Sequence, residues 1–342
     1  MHRSPRCSAS IAARLPPRLA ALLVCGLIAS ACGSDPADGT DAAVAVDGAS
    51  TDGLTNHDGD EAGDASAVDG AADEDGAAAP NPLYVPPGGY RAIFLDIGQG
   101  DATLLIASTG ETLLVDGGNK ADLLTQRLVA LGLQRLDAVL ATHADADHIA
   151  GLAKAMALWH VKTVYWNGLK KETLVFKTFF EAASKVTLIA PKRGAVHKLG
   201  GLDLEFLHPD QAVASGDHNA SSLVVLTGCA GAWLMLTGDA EAETEESMLK
   251  GNVLSDIDVL KVAHHGSKSG TTQAFLDAVK PEHAVISAGL NNKYDHPDAS
   301  VVARLKAIGA VVHEVDTTWD DDSVTLWSAC KGSYTIEPVH AK

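Results

Sequence analysis

Short apolar runs and amphipathic stretches alternate along the chain from Tyr90 onward. Runs rich in Val, Ile and Leu, bounded by Gly, Asn or Asp, predict β-strands. These strands are 91–97, 102–107, 112–115, 138–141, 163–166, 186–190, 202–207, 222–226, 232–236, 259–262, 284–287, 311–315 and 323–327. Apolar residues that recur every three or four positions predict helices at 121–131, 149–159, 172–183, 241–250, 272–279 and 300–308.

The order of these elements predicts a mixed α/β (α+β) domain over 90–342. A β-rich segment followed by βαβ-like units occurs twice, which is the pattern of a four-layer αββα sandwich. Helices would cover the outside of two packed sheets, with a site at the common edge of the sheets. The order of elements alone does not identify the fold.

The N-terminal residues 1–31 have the pattern of a signal peptide. Four arginines and no acid precede an apolar run from 19 to 31, and Cys32 follows at once. The run is shorter than the roughly 20 residues that a membrane-spanning helix needs. Residues 28–32 (IASAC) resemble a bacterial lipobox, although Ala29 stands where leucine is usual.

This pattern predicts export to the periplasm or cell envelope, with attachment to the membrane through lipid on Cys32. Cleavage near Ala31 without lipidation is the alternative. The following segment, 32–89, is predicted to be a disordered acidic linker. Its central part, 33–79, holds eleven Asp and two Glu but no Lys, Arg or aromatic residue, and it therefore has too little apolar surface to fold.

The chain has a net charge of −18. Such acidity argues against tight binding of nucleic acid without sequence preference, which needs clustered Lys and Arg. It does not exclude a nuclease that acts through metal ions. In the domain, Cys229 and Cys330 would either pair in an oxidising compartment or remain separate buried thiols.

The strongest motif is 141–151 (ATHADADHIAG), which places His143, Asp145, Asp147 and His148 directly after an apolar strand. On an extended chain the first three side chains project to one side, and a turn into the helix from Ile149 would add His148. Imidazole nitrogen together with carboxylate oxygen suits Zn²⁺ or Mn²⁺. Two adjacent ions could share these ligands, whereas the alternative is a charged turn.

Two further clusters follow apolar strands. Asp239 follows the strand 232–236; alone it would be a helix cap, but beside the first motif it is a candidate metal bridge. His264 and His265 follow the strand 259–262, and adjacent histidines point in different directions. One can bind metal while the other donates a proton to a leaving group. We assign His265 to the metal and His264 to the substrate.

The ordered motifs 94–102 (FLDIGQGDA), 114–118 (LVDGG), the three clusters, 219–224 (NASSLV) and 292–297 (NKYDHP) resemble the metallo-β-lactamase domain of ComEC-type competence proteins. Phosphorylcholine esterases are similar. The resemblance spans about 90 to 327 and implies the four-layer metallo-β-lactamase sandwich. The DNA channel of ComEC-type transporters is not expected in this chain.

The resemblance also implies two divalent ions, Zn or Mn. His143 and Asp145 would hold one ion, while Asp147, His148 and His265 would hold the other, with Asp239 and a hydroxide between them. His218 is a candidate further ligand, or else an exposed loop histidine. The candidate catalytic residues are Asp147, Lys261, His264 and His296. Asp116 is expected to orient a metal ligand.

These features predict a metal-dependent hydrolase that uses a metal-bridging hydroxide. A phosphodiester is the favoured substrate, either an oligonucleotide or a small molecule such as a phosphorylcholine ester. The alternatives are an ester, lactone or β-lactam hydrolase, and a metal-containing surface lipoprotein that binds without turnover. No stable protein partner is predicted.

Overall fold

Most strands are apolar on both faces because helices cover the sheets from outside while the sheets pack on each other. The structure is a computed structural model that describes residues 83–211, 218–315 and 323–339. The predicted signal peptide, Cys32 and nearly all of the predicted linker lie outside the described residues. Among the described residues, no helix is long and apolar enough to cross a membrane.

The first sheet has eight strands in the order β15-β14-β1-β2-β3-β4-β5-β6. Its strands are β1 (Tyr90–Phe94), β2 (Thr103–Ala107), β3 (Thr112–Val115), β4 (Ala138–Ala141), β5 (Thr163–Trp166), β6 (Thr187–Ile189), β14 (Val324–Ser328) and β15 (Tyr334–Pro338). The strands from β3 to β6 run parallel to one another. Their carboxyl ends therefore meet at one edge of the sheet.

The second sheet has seven strands in the order β13-β12-β11-β10-β9-β8-β7. Its strands are β7 (Val196–Leu199), β8 (Leu202–His208), β9 (Val224–Cys229), β10 (Ala232–Leu236), β11 (Val259–Lys261), β12 (His283–Ser287) and β13 (Val311–Val315). The strands β10 to β13 are parallel. Their carboxyl ends face the same region as the carboxyl end of β4, because Leu223 donates a hydrogen bond to the Thr142 carbonyl.

The helices cover the outer faces of the two sheets. They are α1 (Ala121–Ala130), α2 (Ala146–Ile149), α3 (Leu152–Trp159), α4 (Leu174–Ala183), α5 (Ala242–Lys250), α6 (Gln273–Val279) and α7 (Ala299–Ala307). Buried side chains of α1, α3 and α4 pack on the first sheet, and those of α5, α6 and α7 pack on the second. A third apolar cluster fills the space between the sheets. The predicted four-layer αββα order is confirmed.

Three local details differ from the prediction. The strands β7 and β15 were not predicted, because neither forms a continuous apolar run. The predicted helix 149–159 is wrong in its first turn. The Gly117 amide donates a hydrogen bond to the His148 carbonyl at 2.6 Å, and the Gly151 amide donates one to the Gly118 carbonyl at 3.3 Å. These bonds interrupt the helical ladder and separate α2 from α3.

Cys229 and Cys330 form a disulfide, with their Cα atoms 5.4 Å apart. Cys229 ends β9 in the second sheet, and Cys330 follows β14 in the first. The bond therefore joins the two sheets through residues 101 positions apart. A long closed loop of this kind restricts the unfolded chain and stabilises the fold by about 2–4 kcal/mol.

Candidate metal centre

His143 and the short helix α2 follow β4 closely. The sequence predicts Asp147 on an extended segment beside His143 and Asp145, and this prediction is wrong because Asp147 lies in the first turn of α2. Asp145 precedes that helix, and its carbonyl accepts a hydrogen bond from the His148 amide at 3.0 Å. The turn places one ligand atom of each of Asp147, His148 and His265 within 4.8 Å of the others.

Asp116, at the carboxyl end of β3, fixes the orientation of His148. Its Oδ2 lies 2.8 Å from His148 Nδ1. The same carboxylate accepts hydrogen bonds from the amide and the hydroxyl of Thr142, at 2.8 and 2.7 Å. A carboxylate on one ring nitrogen leaves the other nitrogen of histidine available as a metal ligand. The Nε2 atom of His148 points accordingly towards Asp239, 3.1 Å from its Oδ1.

Asp239 lies at the centre of the buried histidines. Its Oδ2 is 3.8 Å from His143 Nε2 and 3.6 Å from His265 Nε2, in addition to the contact of its Oδ1 with His148. The Asp239 amide donates a hydrogen bond to the Ser222 hydroxyl at 3.2 Å, which ties the turn to the start of β9. One carboxylate therefore faces three imidazoles, as a bridge between two cations would require.

The two adjacent histidines after β11 are separated by an unusual backbone. His264 and His265 have φ angles of 49° and 53°, in the left-handed region that non-glycine residues seldom adopt. The ring of His265 turns inward, where Nδ1 donates to the Ser287 carbonyl at 3.0 Å and lies 3.3 Å from Asp101 Oδ1. The ring of His264 stays partly exposed, with its Nε2 3.6 Å from Asp239 Oδ2.

Four of these side chains direct unsatisfied polar atoms to one place. The Nε2 atoms of His143, His148 and His265 and the Oδ1 of Asp239 are buried, and among the described residues their contacts are with one another or with neighbouring carboxylates, such as the 3.1 Å between His148 Nε2 and Asp239 Oδ1. A buried polar atom without a partner costs about 1–3 kcal/mol. Divalent cations would satisfy all four atoms, and nitrogen with carboxylate oxygen is a donor set that Zn²⁺ and Mn²⁺ accept. The residues present therefore fit a metal centre.

The charge distribution of the cluster also favours cations. Burial lowers the pKa of His143 to about 3, so its imidazole is neutral and has a free lone pair. Burial acts in the same direction on His265, but the carboxylates of Asp239 and Asp101 outweigh it and raise the pKa of His265 to about 10. A metal ion would displace that proton, since metal binding and proton release are coupled.

Three predicted site residues lie at the margin of this cluster. The Asp145 carboxylate forms an ion pair with Lys171, and the structure does not bring Asp145 into the groups of converging ligand atoms. The Nδ1 atom of His218 is buried without a partner in the described part of the chain, but His218 too lies outside those groups. Lys261 is buried and pairs with Asp101 at 2.8 Å, so its ammonium group faces away from solvent.

The loop after β12 brings His296 to the exposed side of the cluster. The ring centroids of His296 and His264 are 5.8 Å apart. Burial lowers the pKa of His296, and the charges of His264 and His265 lower it further. The imidazole of His296 is therefore neutral near pH 7. This position agrees with the predicted contact of His296 with substrate, and that role stays a prediction.

Asp101 belongs to the motif 94–102, to which the sequence analysis gave no role in the site, but its carboxylate lies inside the site. It contacts Lys261 and His265, and with Asp239 and His265 it forms one group of possible ligand atoms within 4.8 Å. Lys171 was not identified at all. The only available signal for Asp101 was an acid within the glycine-rich segment 98–101, and Lys171 lies in a polar loop without any motif.

Comparisons with known proteins agree with this geometry. A model of the metallo-β-lactamase superfamily matches residues 95–289. ComE operon protein 3 of Bacillus subtilis is 33% identical over 72% of this chain and 34% of its own length. Competence protein ComA of Neisseria gonorrhoeae is 33% identical over 69% of this chain and 32% of its own length. This chain thus matches about a third of each relative.

Among solved structures, the metallo hydrolase Igni18 of Ignicoccus hospitalis covers 68% of this chain and 98% of its own length, at 16% identity and a TM-score of 0.45. The family match includes the motifs that supply His143, His148, Asp239 and His265. The relatives are the competence proteins that the motif order resembles. The chain therefore belongs to the metallo-β-lactamase superfamily.

Proposed function

We propose that this protein hydrolyses phosphodiesters with the aid of two divalent metal ions. One observation carries the proposal: the unsatisfied atoms of three imidazoles and one carboxylate converge beside a partly exposed histidine. His143 would hold one ion, Asp147, His148 and His265 would hold the other, and Asp239 would contact both. Asp145 pairs with Lys171 outside the converging atoms, so its role as a ligand of the first ion stays a prediction. Bound divalent ions supply Lewis acidity, which activates water near neutral pH and neutralises charge on phosphoryl oxygens.

The residues around the ions have distinct tasks. Asp116 keeps His148 in the tautomer whose Nε2 can bind metal. Asp101 and the Ser287 carbonyl do the same for His265. His264 is the group placed to donate a proton to the leaving oxygen, because its ring lies between the carboxylate cluster and solvent. The Glu241 carboxylate lies 3.3 Å from its Nδ1 and would orient the ring.

A phosphodiester is favoured over an apolar ester for two reasons. The groups at the exposed side of the cluster are polar, since Asn219, Glu241, Ser269 and His296 surround His264. An apolar ester, lactone or β-lactam would favour a hydrophobic wall instead. One relative is also named a competence protein, and such homologues suggest a role in DNA uptake.

The test is metal analysis combined with hydrolysis of bis(p-nitrophenyl) phosphate, with and without added Mn²⁺ or Zn²⁺. The expected result is two ions per chain and turnover that Asp147→Ala abolishes. Asp256→Ala is the matched control, because Asp256 is an exposed acid that pairs with Lys280 away from the cluster. Bound metal without turnover of the diester would refute the phosphodiesterase proposal, and absence of metal would refute the metal centre.

We further propose that the protein is exported and anchored through lipid on Cys32. The Cys229–Cys330 disulfide supports export, because disulfides persist in oxidising compartments such as the periplasm. Labelled palmitate should be incorporated by the full chain in a bacterial host and not by the Cys32→Ala variant. Equal labelling of both, or of neither, would contradict lipidation at this residue.

A further inference from the structure

The loop between β12 and α7 is a braced structure that carries an exposed aromatic ring. Asn292 holds it together: Oδ1 accepts hydrogen bonds from the amides of Tyr294 and His296, both at 3.1 Å. Nδ2 of Asn292 donates to the carbonyls of Gly289 and His296, at 3.0 and 2.6 Å. The loop is also fixed to the segment beside the metal centre, where Gly289 donates to Gln99 Oε1 at 3.2 Å.

This brace aligns a row of rings that begins at the metal centre. His264 lies 3.6 Å from Asp239, and the ring of His296 lies 5.8 Å from that of His264. Tyr294 stacks on His296, with ring centroids 5.8 Å apart and an angle of 19° between the planes. The Tyr294 side chain is 52% exposed, although tyrosine is usually more buried. The flat ring of Tyr294 is thus exposed to solvent next to His296. It lies farther from the metal centre than His264 and His296, the two residues that would face the phosphate of the proposed substrate.

A lysine next to the Tyr294 ring restricts which chemical groups can stack on that ring. The Lys293 ammonium lies 4.8 Å from the centroid of the Tyr294 ring. A trimethylammonium group such as that of choline would be repelled by this charge. A neutral heteroaromatic ring would not be, and the exposed lysine could then move to an adjoining phosphate, since a cation–π contact is weak where solvent has access.

We propose that Tyr294 stacks on a nucleobase carried by the scissile phosphodiester, while Lys293 neutralises a neighbouring phosphate of the strand. Aromatic side chains bind bases of single-stranded nucleic acid in this manner with little sequence preference. The inference rests on the proposed phosphodiesterase function and defines its substrate as a nucleoside diester rather than a choline diester. Tyr294 is a specificity residue in this scheme and takes no part in bond cleavage.

The test compares two diesters that share a leaving group, thymidine 5′-(p-nitrophenyl phosphate) and methyl p-nitrophenyl phosphate. With the metal-loaded full chain, Tyr294→Leu should lower kcat/KM for the thymidine diester by about 5- to 100-fold. The same variant should leave kcat/KM for the methyl diester within about twofold of the wild-type value, because no base is present to stack. Tyr294→Phe keeps the ring and should restore the thymidine preference.

The outcomes separate the two proposals. If Tyr294→Leu affects both diesters alike, or neither, the stacking role is wrong and the phosphodiesterase proposal stands. If the wild-type protein hydrolyses neither diester, both proposals are wrong. A thymidine preference that survives in Tyr294→Leu would likewise overturn the inference, since the base would then be recognised elsewhere.

Discussion

Two clusters of histidines lie at opposite ends of β12, and they differ in how their nitrogen atoms are satisfied. At the carboxyl end, the Ser287 carbonyl holds His265, whose Nε2 has no hydrogen-bond partner in the described structure. At the amino end, His283 Nδ1 lies 2.8 Å from His313 Nε2, and the two rings stack at 5.1 Å. The first cluster is incomplete without a cation, whereas the second is a completed pair.

The two histidine clusters also differ in how strongly neighbouring carboxylates act on the imidazoles. At the metal centre they face the histidines directly, and they hold the pKa of both His148 and His265 above the ordinary value. At the amino end, burial lowers the pKa of both His283 and His313, and for His283 it outweighs the opposite effect of Glu282 and Asp258. Glu282 also accepts a hydrogen bond from Tyr334 at 3.0 Å. Proximity of imidazoles is therefore a poor sign of a metal site, whereas unsatisfied nitrogens aimed at a shared carboxylate are a good one.

Removal of the shared carboxylate should have the largest effect. Asp239→Ala should lower both metal content and turnover, by at least about a hundredfold in activity, since losses of 10- to 100-fold are typical even for partners one step removed from the metal. Elemental analysis and diester hydrolysis measure the two effects. A variant that retains two ions would show that Asp239 is no ligand. Circular dichroism checks that the variant is folded.

Substitution of Asp116, which orients the ligand His148, should lower metal binding by less than substitution of Asp239. Asp116→Asn keeps the shape of the side chain but weakens its hold on His148 Nδ1, and metal affinity should fall by about 10- to 100-fold. Competition with a chromogenic chelator measures this affinity. The matched control is Asp122→Asn, an exposed acid on α1 paired with Lys154. Equal affinities in the two variants would contradict the positioning role of Asp116.

A substitution in the pair of His283 and His313 should change the stability of the fold but not metal binding. His283→Gln should leave metal content unchanged and lower the free energy of unfolding by about 0.5–1.5 kcal/mol, the usual contribution of one hydrogen bond. Urea denaturation measures this difference. Loss of a bound ion in this variant would show that the two histidine clusters do not differ as argued.

The same pair gives a pH dependence with a definite sign. Burial lowers the pKa of His283 and of His313 in the folded state below their ordinary value of 6.5. The unfolded chain therefore binds more protons, so this contribution to stability is present above pH 6.5 and is lost as the pH falls through the folded pKa. His283→Gln should reduce this acid sensitivity. An unchanged pH profile of unfolding would contradict it.

The sequence was informative where a residue's role depends on its neighbours in the chain. The apolar runs of β4, β10 and β11 are each followed by polar residues that the strand ends bring to one edge, and this placed His143, Asp239 and His265 together. The order of elements was that of a four-layer fold for the same reason, and the resemblance of the ordered motifs identified the fold. Parallel strands with buried faces are continuous apolar runs, which are easily recognised.

The rest depended on contacts between distant segments. The break between α2 and α3 arises from hydrogen bonds to Gly117 and Gly118, so local periodicity could not reveal it. Asp101 reaches Lys261 across 160 positions of sequence. The strand β7 buries only its last residue, Leu199, and therefore lacks an apolar signal. Whether Cys229 and Cys330 pair was likewise decided by the approach of the two sheets.

We propose that the histidine cluster around Asp239, and not the pair of His283 and His313, holds two divalent ions. Anomalous diffraction from crystals of the full chain grown with Mn²⁺ or Zn²⁺ locates such ions. We expect two anomalous peaks beside Asp239, within bonding distance of the Nε2 atoms of His143, His148 and His265. Absence of a peak there, or a peak between His283 and His313 instead, would contradict it.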